Sequence, residues 1–163
     1  MKKLSMLLLL SIGVAFTSCD DDDEPAAPPD LAAHSITFKV VPSTQFAGMA
    51  TIIGSVKNIG GNFTSGAGQQ TALLYEKQLG GSGPGNIVGR TEFTTVTAGD
   101  SITVSYVRAW DMSSPSEGEF PPDYILQIVY DPDIAADSND ANDDADNTNN
   151  RLVVSGSAIN ELF

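Results

Sequence analysis

Ser101-Ile102-Thr103-Val104-Ser105-Tyr106-Val107-Arg108 alternates polar and apolar side chains. A period of two places Ile102, Val104 and Tyr106 on one face and Ser101, Thr103 and Ser105 on the other. That is the pattern of a strand with one side in a core and one in water. Trp110 keeps the parity of the apolar face. The same rhythm opens the folded part of the chain, where Ile36, Phe38 and Val40 alternate with Ser35, Thr37 and Lys39 from His34 onward.

Working outward, Met49–Asn58 repeats the alternation after a turn region from Pro42 to Gly48, and Ile59-Gly60-Gly61-Asn62 closes it. Thr71–Glu76 is a third strand with both faces partly apolar, Ile87–Val96 is a weaker one, and Ala98-Gly99-Asp100 turns the chain into Ser101. Tyr124-Ile125-Leu126-Gln127-Ile128-Val129-Tyr130 is the most apolar segment and reads as a central strand. Arg151–Ser155 is the last. Between Asp111 and Asp123 lie Pro115, Gly118, Pro121 and Pro122, which argue against regular structure there. Beyond the N-terminal region no segment holds a 3.6-residue period. Seven short strands joined by Gly- and Pro-marked turns predict an all-β fold, an antiparallel immunoglobulin-like β-sandwich over residues 31–163. The Cys…Trp…Cys spacing of antibody domains is missing, so Trp110 or Tyr124 is expected as the large core aromatic.

The first 30 residues are of a different kind. Met1-Lys2-Lys3 precedes an apolar run of about a dozen residues, too short for the about 20 that span a bilayer as a helix, and the run ends in Thr17-Ser18-Cys19. Residues 1–18 therefore read as a secretory signal. Phe16-Thr17-Ser18-Cys19 resembles the lipobox of bacterial lipoproteins, with Phe16 where Leu is usual. The resemblance implies cleavage before Cys19 and a diacylglycerol on its thiol. Cys19 is the sole cysteine, so it forms no internal disulfide and is better read as an attachment point. At about 0.8 kcal/mol per buried CH₂, two or three acyl chains make a lasting anchor.

Asp20-Asp21-Asp22-Asp23-Glu24 and Pro25-Ala26-Ala27-Pro28-Pro29-Asp30 follow. Like charges and prolines make residues 19–30 a solvated, extended spacer reaching up to roughly 35–40 Å. An acidic cluster directly after the lipidated cysteine also resembles the surface-export signal of lipoproteins in one Gram-negative phylum. That implies an outer-membrane, lipid-anchored protein facing outward, with the periplasmic face as the alternative.

The chain carries 21 acidic and 8 basic residues, a formal net charge of −13. Such a field disfavours nucleic acid and anionic lipid headgroups and favours cations. A domain of about 130 residues buries roughly two-thirds of its unfolded surface and can fold without disulfide or cofactor.

Asp30-Leu31 before the first strand, Ser55-Val56-Lys57-Asn58-Ile59-Gly60 ending the second and Val96-Thr97-Ala98-Gly99-Asp100-Ser101 before the fifth recur in one order. With them stands Tyr124 through Asp131-Pro132-Asp133, then Asp137-Ser138-Asn139-Asp140 and Asn149-Asn150. This order resembles the cell-adhesion-related domain of bacteria, CARDB, over nearly all of residues 30–155. The chain departs from that pattern by an acidic insert, Ala141–Thr148, and by a long Asp111–Asp123 loop. The resemblance implies an adhesion-like or scaffolding module without catalytic residues, whose partner is an unidentified protein or glycan. The alternative is a carbohydrate- or calcium-dependent protein of nutrient capture. A sugar platform needs two or three exposed rings on one face, from Tyr75, Trp110, Phe120, Tyr124 and Tyr130, with Phe120 the one expected outward.

Chemistry is concentrated in one connection, where Asp131, Asp133, Asp137, Asp140, Asp143, Asp144 and Asp146 alternate with five asparagines between Asn139 and Asn150. Calcium takes six to eight oxygen ligands, making Asp140, Asn142, Asp144 and Asp146 the candidate set. As an EF-hand loop the stretch fails, because Ala145 replaces the turn glycine and Arg151 the bidentate glutamate. The competing reading is that these short side chains cap turns and bond their own backbone. A catalytic inventory is poor: His34 is the sole histidine, and Glu76, Glu92, Asp111, Glu117, Glu119 and Asp123 are the acids from which a hydrolytic pair would be drawn. Gly80–Gly85 lacks the lysine and hydroxyl of a phosphate loop. Asp100-Ser101-Ile102 resembles an O-glycosylation triplet, making Ser101 a candidate modification site.

Overall fold

The computed structural model describes residues 27–163. The signal at 1–18, Cys19 and most of the spacer lie outside the described residues. Nine strands form: β1 (Leu31–Pro42), β2 (Ala47–Asn58), β3 (Phe63–Thr64), β4 (Gln70–Lys77), β5 (Asn86–Glu92), β6 (Thr95–Val96), β7 (Ser101–Asp111), β8 (Asp123–Tyr130) and β9 (Arg151–Ser155). A sheet ordered β1-β2-β7 and another ordered β5-β4-β8-β9 carry the seven expected strands. The short β3 and β6 pair with each other, and every pairing is antiparallel.

Register explains which residues are inside. In the first sheet Ile36–Gly54–Val104, Phe38–Ile52–Tyr106 and Val40–Ala50–Arg108 lie in rows, and in the second Leu74–Leu126–Leu152 and Glu76–Tyr124–Val154 do. These rows belong to the two inner faces, whose apolar members build one core around Trp110 and Tyr124. Both expected aromatics are thus core residues. Ring contact of Phe38 with Tyr124, 5.7 Å between centroids, joins the sheets. Gly54 stands inward because a Cβ there would meet Leu126 Cδ1 at 2.9 Å, so the close approach of the sheets requires its bare backbone.

Four features depart from the expected pattern. β1 begins at Leu31, three residues early, and a bulge between Ala33 and Ser35 leaves exposed His34 unpaired. The extra residue shifts the phase, so that Leu31 and Ala33 before it and Ile36 after it all face inward. The expected single strand Ile87–Val96 breaks after Glu92, since Phe93 turns into the core beside Phe63. Its remnant β6 then pairs with β3. The proline-bearing Asp111–Asp123 loop, expected to be irregular, holds one wide helical turn, Pro115–Glu119, started by its proline and closed by the Phe120 amide on the Pro115 carbonyl. A four-residue helix, α1 (Ser157–Asn160), too short to show a period, drives Ile159 fully into the core.

The two ends of the sandwich differ. At one, the chain arrives from the spacer through Pro29 and Asp30 into β1, beside the ends of β2 and β8. At the other sit the β1–β2 turn, the end of β7, the helical turn and α1. Eleven strand steps of about 3.3 Å separate them by about 35 Å.

Candidate functional site

The far end is organised by Arg108. It holds the inward parity of β7, between Tyr106 and Trp110, a position where an unpaired charge would be costly. Glu76, inward on β4 of the opposite sheet, accepts from its Nη1 at 2.8 Å, and Glu117 of the helical turn accepts from Nη2. Tyr124 Oη donates to Glu76 Oε2 at 3.0 Å. The guanidinium carbon lies 5.3 Å from the Trp110 ring centroid. Ser114 and Ser116 donate to the second oxygen of Glu117. Asn160 of α1 receives Trp110 Nε1 at 2.7 Å and donates to the Glu117 carbonyl at 2.8 Å, closing the ring of contacts.

Electrostatics follow the geometry. Burial works against the Arg108 charge, but the hydrogen bond and charge of Glu76, then Tyr124 and Glu117, outweigh it and its pKa rises. Burial likewise opposes ionised Glu117, yet its serine hydrogen bonds and Arg108 hold it below the usual glutamate value. Burial first, then the Glu76 carboxylate, pushes the Tyr124 phenol far up. Beside this network opens a groove of about 620 Å³ between the β1–β2 turn and the end of β7, lined by Ser43, Ala47, Met49, Arg108, Trp110 and Glu117. On the outer face next to it, Val41–Met49–Ala109 form one row and Val107 stands in the next, with Phe46 at the turn. Val41, Met49, Val107 and Phe46 are all exposed, Val41 by 71%.

Glu76 and Glu117, two of the six acids from which a hydrolytic pair would be drawn, meet on one guanidinium. Arg108 was not among the candidates. Its signal was present: a charge at the parity of Ile102, Val104, Tyr106 and Trp110.

The connection between β8 and β9 lies at the end where the chain enters β1. Three of its short acids cap turns: Asp131 accepts from the Asp133 amide, Asp137 from the Asn139 amide, and Asp146 from the Thr148 amide and hydroxyl. These bonds lower the pKa of Asp146, and the Asn142 side-chain bond does most to lower that of Asp137. The connection also clamps the start of the domain. Asp144 Oδ1 accepts from the Leu31 amide at 3.0 Å, Asp144 Oδ2 from Tyr130 Oη at 2.9 Å and Asn150 Nδ2 at 2.7 Å, and Asn149 Nδ2 donates to Asp30 at 2.8 Å. Burial, then the Asp144 charge, drives the Tyr130 phenol far up.

The four candidate calcium ligands are not gathered as a set. Asn142 and Asp144 share the wall of a small cavity of about 110 Å³ with Asp143 and Asn147. Asp140 lines a different groove beside Pro28, Pro29 and Asn62, and Asp146 serves its turn. Among the described residues no three His, Cys, Asp or Glu side chains converge as a metal-binding group. Ser101 is exposed at the first position of β7, opposite Lys57. Of the five aromatics weighed as a sugar platform, Trp110 and Tyr124 are core, Tyr75 and Tyr130 are half-buried, and Phe120 is exposed.

No family model matches this chain, and no curated protein is significantly similar to it. Among solved structures it is similar to β-glucosidase 3B from Thermotoga neapolitana, in its complexes with glucose and with glycerol, each at 12% identity and a TM-score of 0.31. The match covers 80% of this chain and spans 16% of the glucosidase chain.

Proposed function

We propose that this chain is a non-enzymatic interaction module, carried on the outer membrane by lipid on Cys19 and turned outward, that contacts a macromolecule with the end of its sandwich farthest from the tether. One observation carries the reading. The apolar residues Val41, Phe46, Met49 and Val107 cluster outside the core, beside a groove walled by Trp110, at the pole opposite the spacer. Monomeric soluble proteins rarely expose large contiguous apolar patches, and those they do expose are often functional. The acidic composition of the spacer supports the same arrangement, because like charges repel one another and anionic headgroups alike. The resemblance to CARDB, an immunoglobulin-like adhesion module, agrees with a binding role, though a fold by itself assigns none. Capture of carbohydrate has less behind it, since Phe120 is the single exposed ring of the five that were to form a platform.

The test uses intact cells and the full chain. A photo-crosslinking residue at Met49 or Phe46 should join one macromolecule that the same residue at Ala98, at the tether end, does not. Equal labelling from both ends would sink the reading. Cys19→Ser should release the protein from the membrane fraction, and surface protease should remove the wild-type domain. A specific sugar in a glycan array would replace the proposal with the carbohydrate one.

A further inference from the structure

The small cavity under the β8–β9 connection has a chemical peculiarity. Asn142 has no exposed surface. Its Nδ2 is fully used, donating to Asp137 Oδ2 at 2.8 Å and Ser65 Oγ at 3.2 Å, while no protein donor reaches its buried Oδ1. Asp143, which lines the same cavity, also has its Oδ1 buried without a donor. Next to them Asn150, whose Nδ2 bonds both Asp144 and Asn147, leaves its buried Oδ1 unmet as well. Buried acceptors are nearly always paired, and a concentration of unpaired ones in one place calls for a donor or a cation from outside the chain. Their chemistry narrows the choice. They are hard amide and carboxylate oxygens, no histidine or cysteine lines the space, and two adjacent carboxylates, Asp143 and Asp144, supply negative charge.

We propose that this cavity takes a calcium ion, held by Asn142 Oδ1 and the Asp143 carboxylate, with Asn147 and Asp144 beside them and water completing the shell. Calcium fits better than magnesium because amide oxygens on an irregular loop give a flexible, high-number shell, whereas magnesium demands a small octahedron and keeps its waters. Only Asp143 is a carboxylate with an oxygen free of protein donors, so the dissociation constant should fall near the 10⁻⁴–10⁻³ M typical of extracellular calcium modules. Because Asp144 also holds the Leu31 amide, occupancy braces the point where the tether enters the domain. This site is at the pole opposite the proposed contact surface, so either can fail without the other.

The experiment is a thermal melt of the full chain with calcium or magnesium chloride at equal ionic strength. Calcium at about 10 mM, an excess over that dissociation constant, should raise Tm by a few degrees beyond magnesium. Asp143→Asn is the decisive variant: the buried Oδ1 it changes has no donor in the protein, so Tm without calcium should stay within about a degree while the calcium response disappears. Asp133→Asn removes an exposed charge from the same connection and should keep the response. Terbium, a calcium surrogate, should give Tyr130-sensitised luminescence in wild type, and Tyr130→Phe should reduce it. No rise in Tm, an equal rise with magnesium, or a calcium rise that survives Asp143→Asn would overturn the proposal.

Discussion

The two ends of this sandwich solve the burial of carboxylates in opposite ways. At the far end Glu76 and Glu117 share one cation, Arg108, and the remaining acceptors of Glu117 meet serine hydroxyls. At the tether end Asp144 is held by an amide, a phenol and a carboxamide without any protein cation, and several neighbouring oxygens meet no donor. The far network carries its cation within the chain, although two carboxylates on one guanidinium leave it one charge negative. A network made only of dipoles around an acid leaves negative potential over, which suits a mobile cation in a protein with net charge −13.

The sharpest way to break the comparison is to remove the cation. Arg108→Met strands two carboxylates that are 14% and 10% exposed, and should cost about 3–5 kcal/mol in chemical denaturation. Neutralising both acids in the same chain, with Glu76→Gln and Glu117→Gln, should recover most of that loss, since an uncompensated charge and not a missing contact is the main penalty. If the triple variant is no more stable than Arg108→Met, packing against Trp110 matters more than charge.

At the tether end the corresponding change, Asp144→Ala, abandons the Leu31 amide, the Tyr130 hydroxyl and the Asn150 carboxamide. Neutral partners are cheaper to strand than charges, so a loss of about 1–3 kcal/mol is expected. Hydrogen exchange at Leu31 should quicken more than at Trp110.

Acid titration probes the far end. The folded-state pKa of Glu117 lies below its ordinary value, so the unfolded chain binds its proton first. Its contribution is complete above the unfolded value of about 4.3 and is lost as pH falls through the lowered folded value. Stability measured from about pH 5 downward should therefore fall, and Glu117→Gln should flatten that slope. The smallest effect is expected for Asp146→Ala, which removes a turn cap on the Thr148 amide and hydroxyl, in the same denaturation assay.

Much of this was legible in the chain. Alternation in Ser101–Arg108 and the apolar run Tyr124–Tyr130 name their faces and the interior place of β8, because a side-chain period of two leaves a strand only two orientations. The bulge at His34 was not legible, since one unpaired residue is visible only once a partner strand supplies the register. The breakage of Ile87–Val96 was hidden for a similar reason: Phe93 continues an apolar pattern locally, and only contact with Phe63 shows it turning inward. The candidate calcium set was half legible. Composition identified the connection, but an irregular loop has no period, so spacing could not say that Asn142 and Asp144 share a wall while Asp140 and Asp146 look elsewhere.

By itself, then, the sequence determined the class of the fold, the order of its seven main strands and the expectation of a lipid tether on Cys19. Each of these is written in local patterns of hydrophobicity and charge that act over a few residues. Only the tertiary structure decided that Arg108, Glu76 and Glu117 meet, that the apolar groove lies opposite the spacer, and that unpaired oxygens gather beneath the β8–β9 connection. Those facts depend on which residues from distant segments are brought within a few ångströms, and that follows from register and sheet packing.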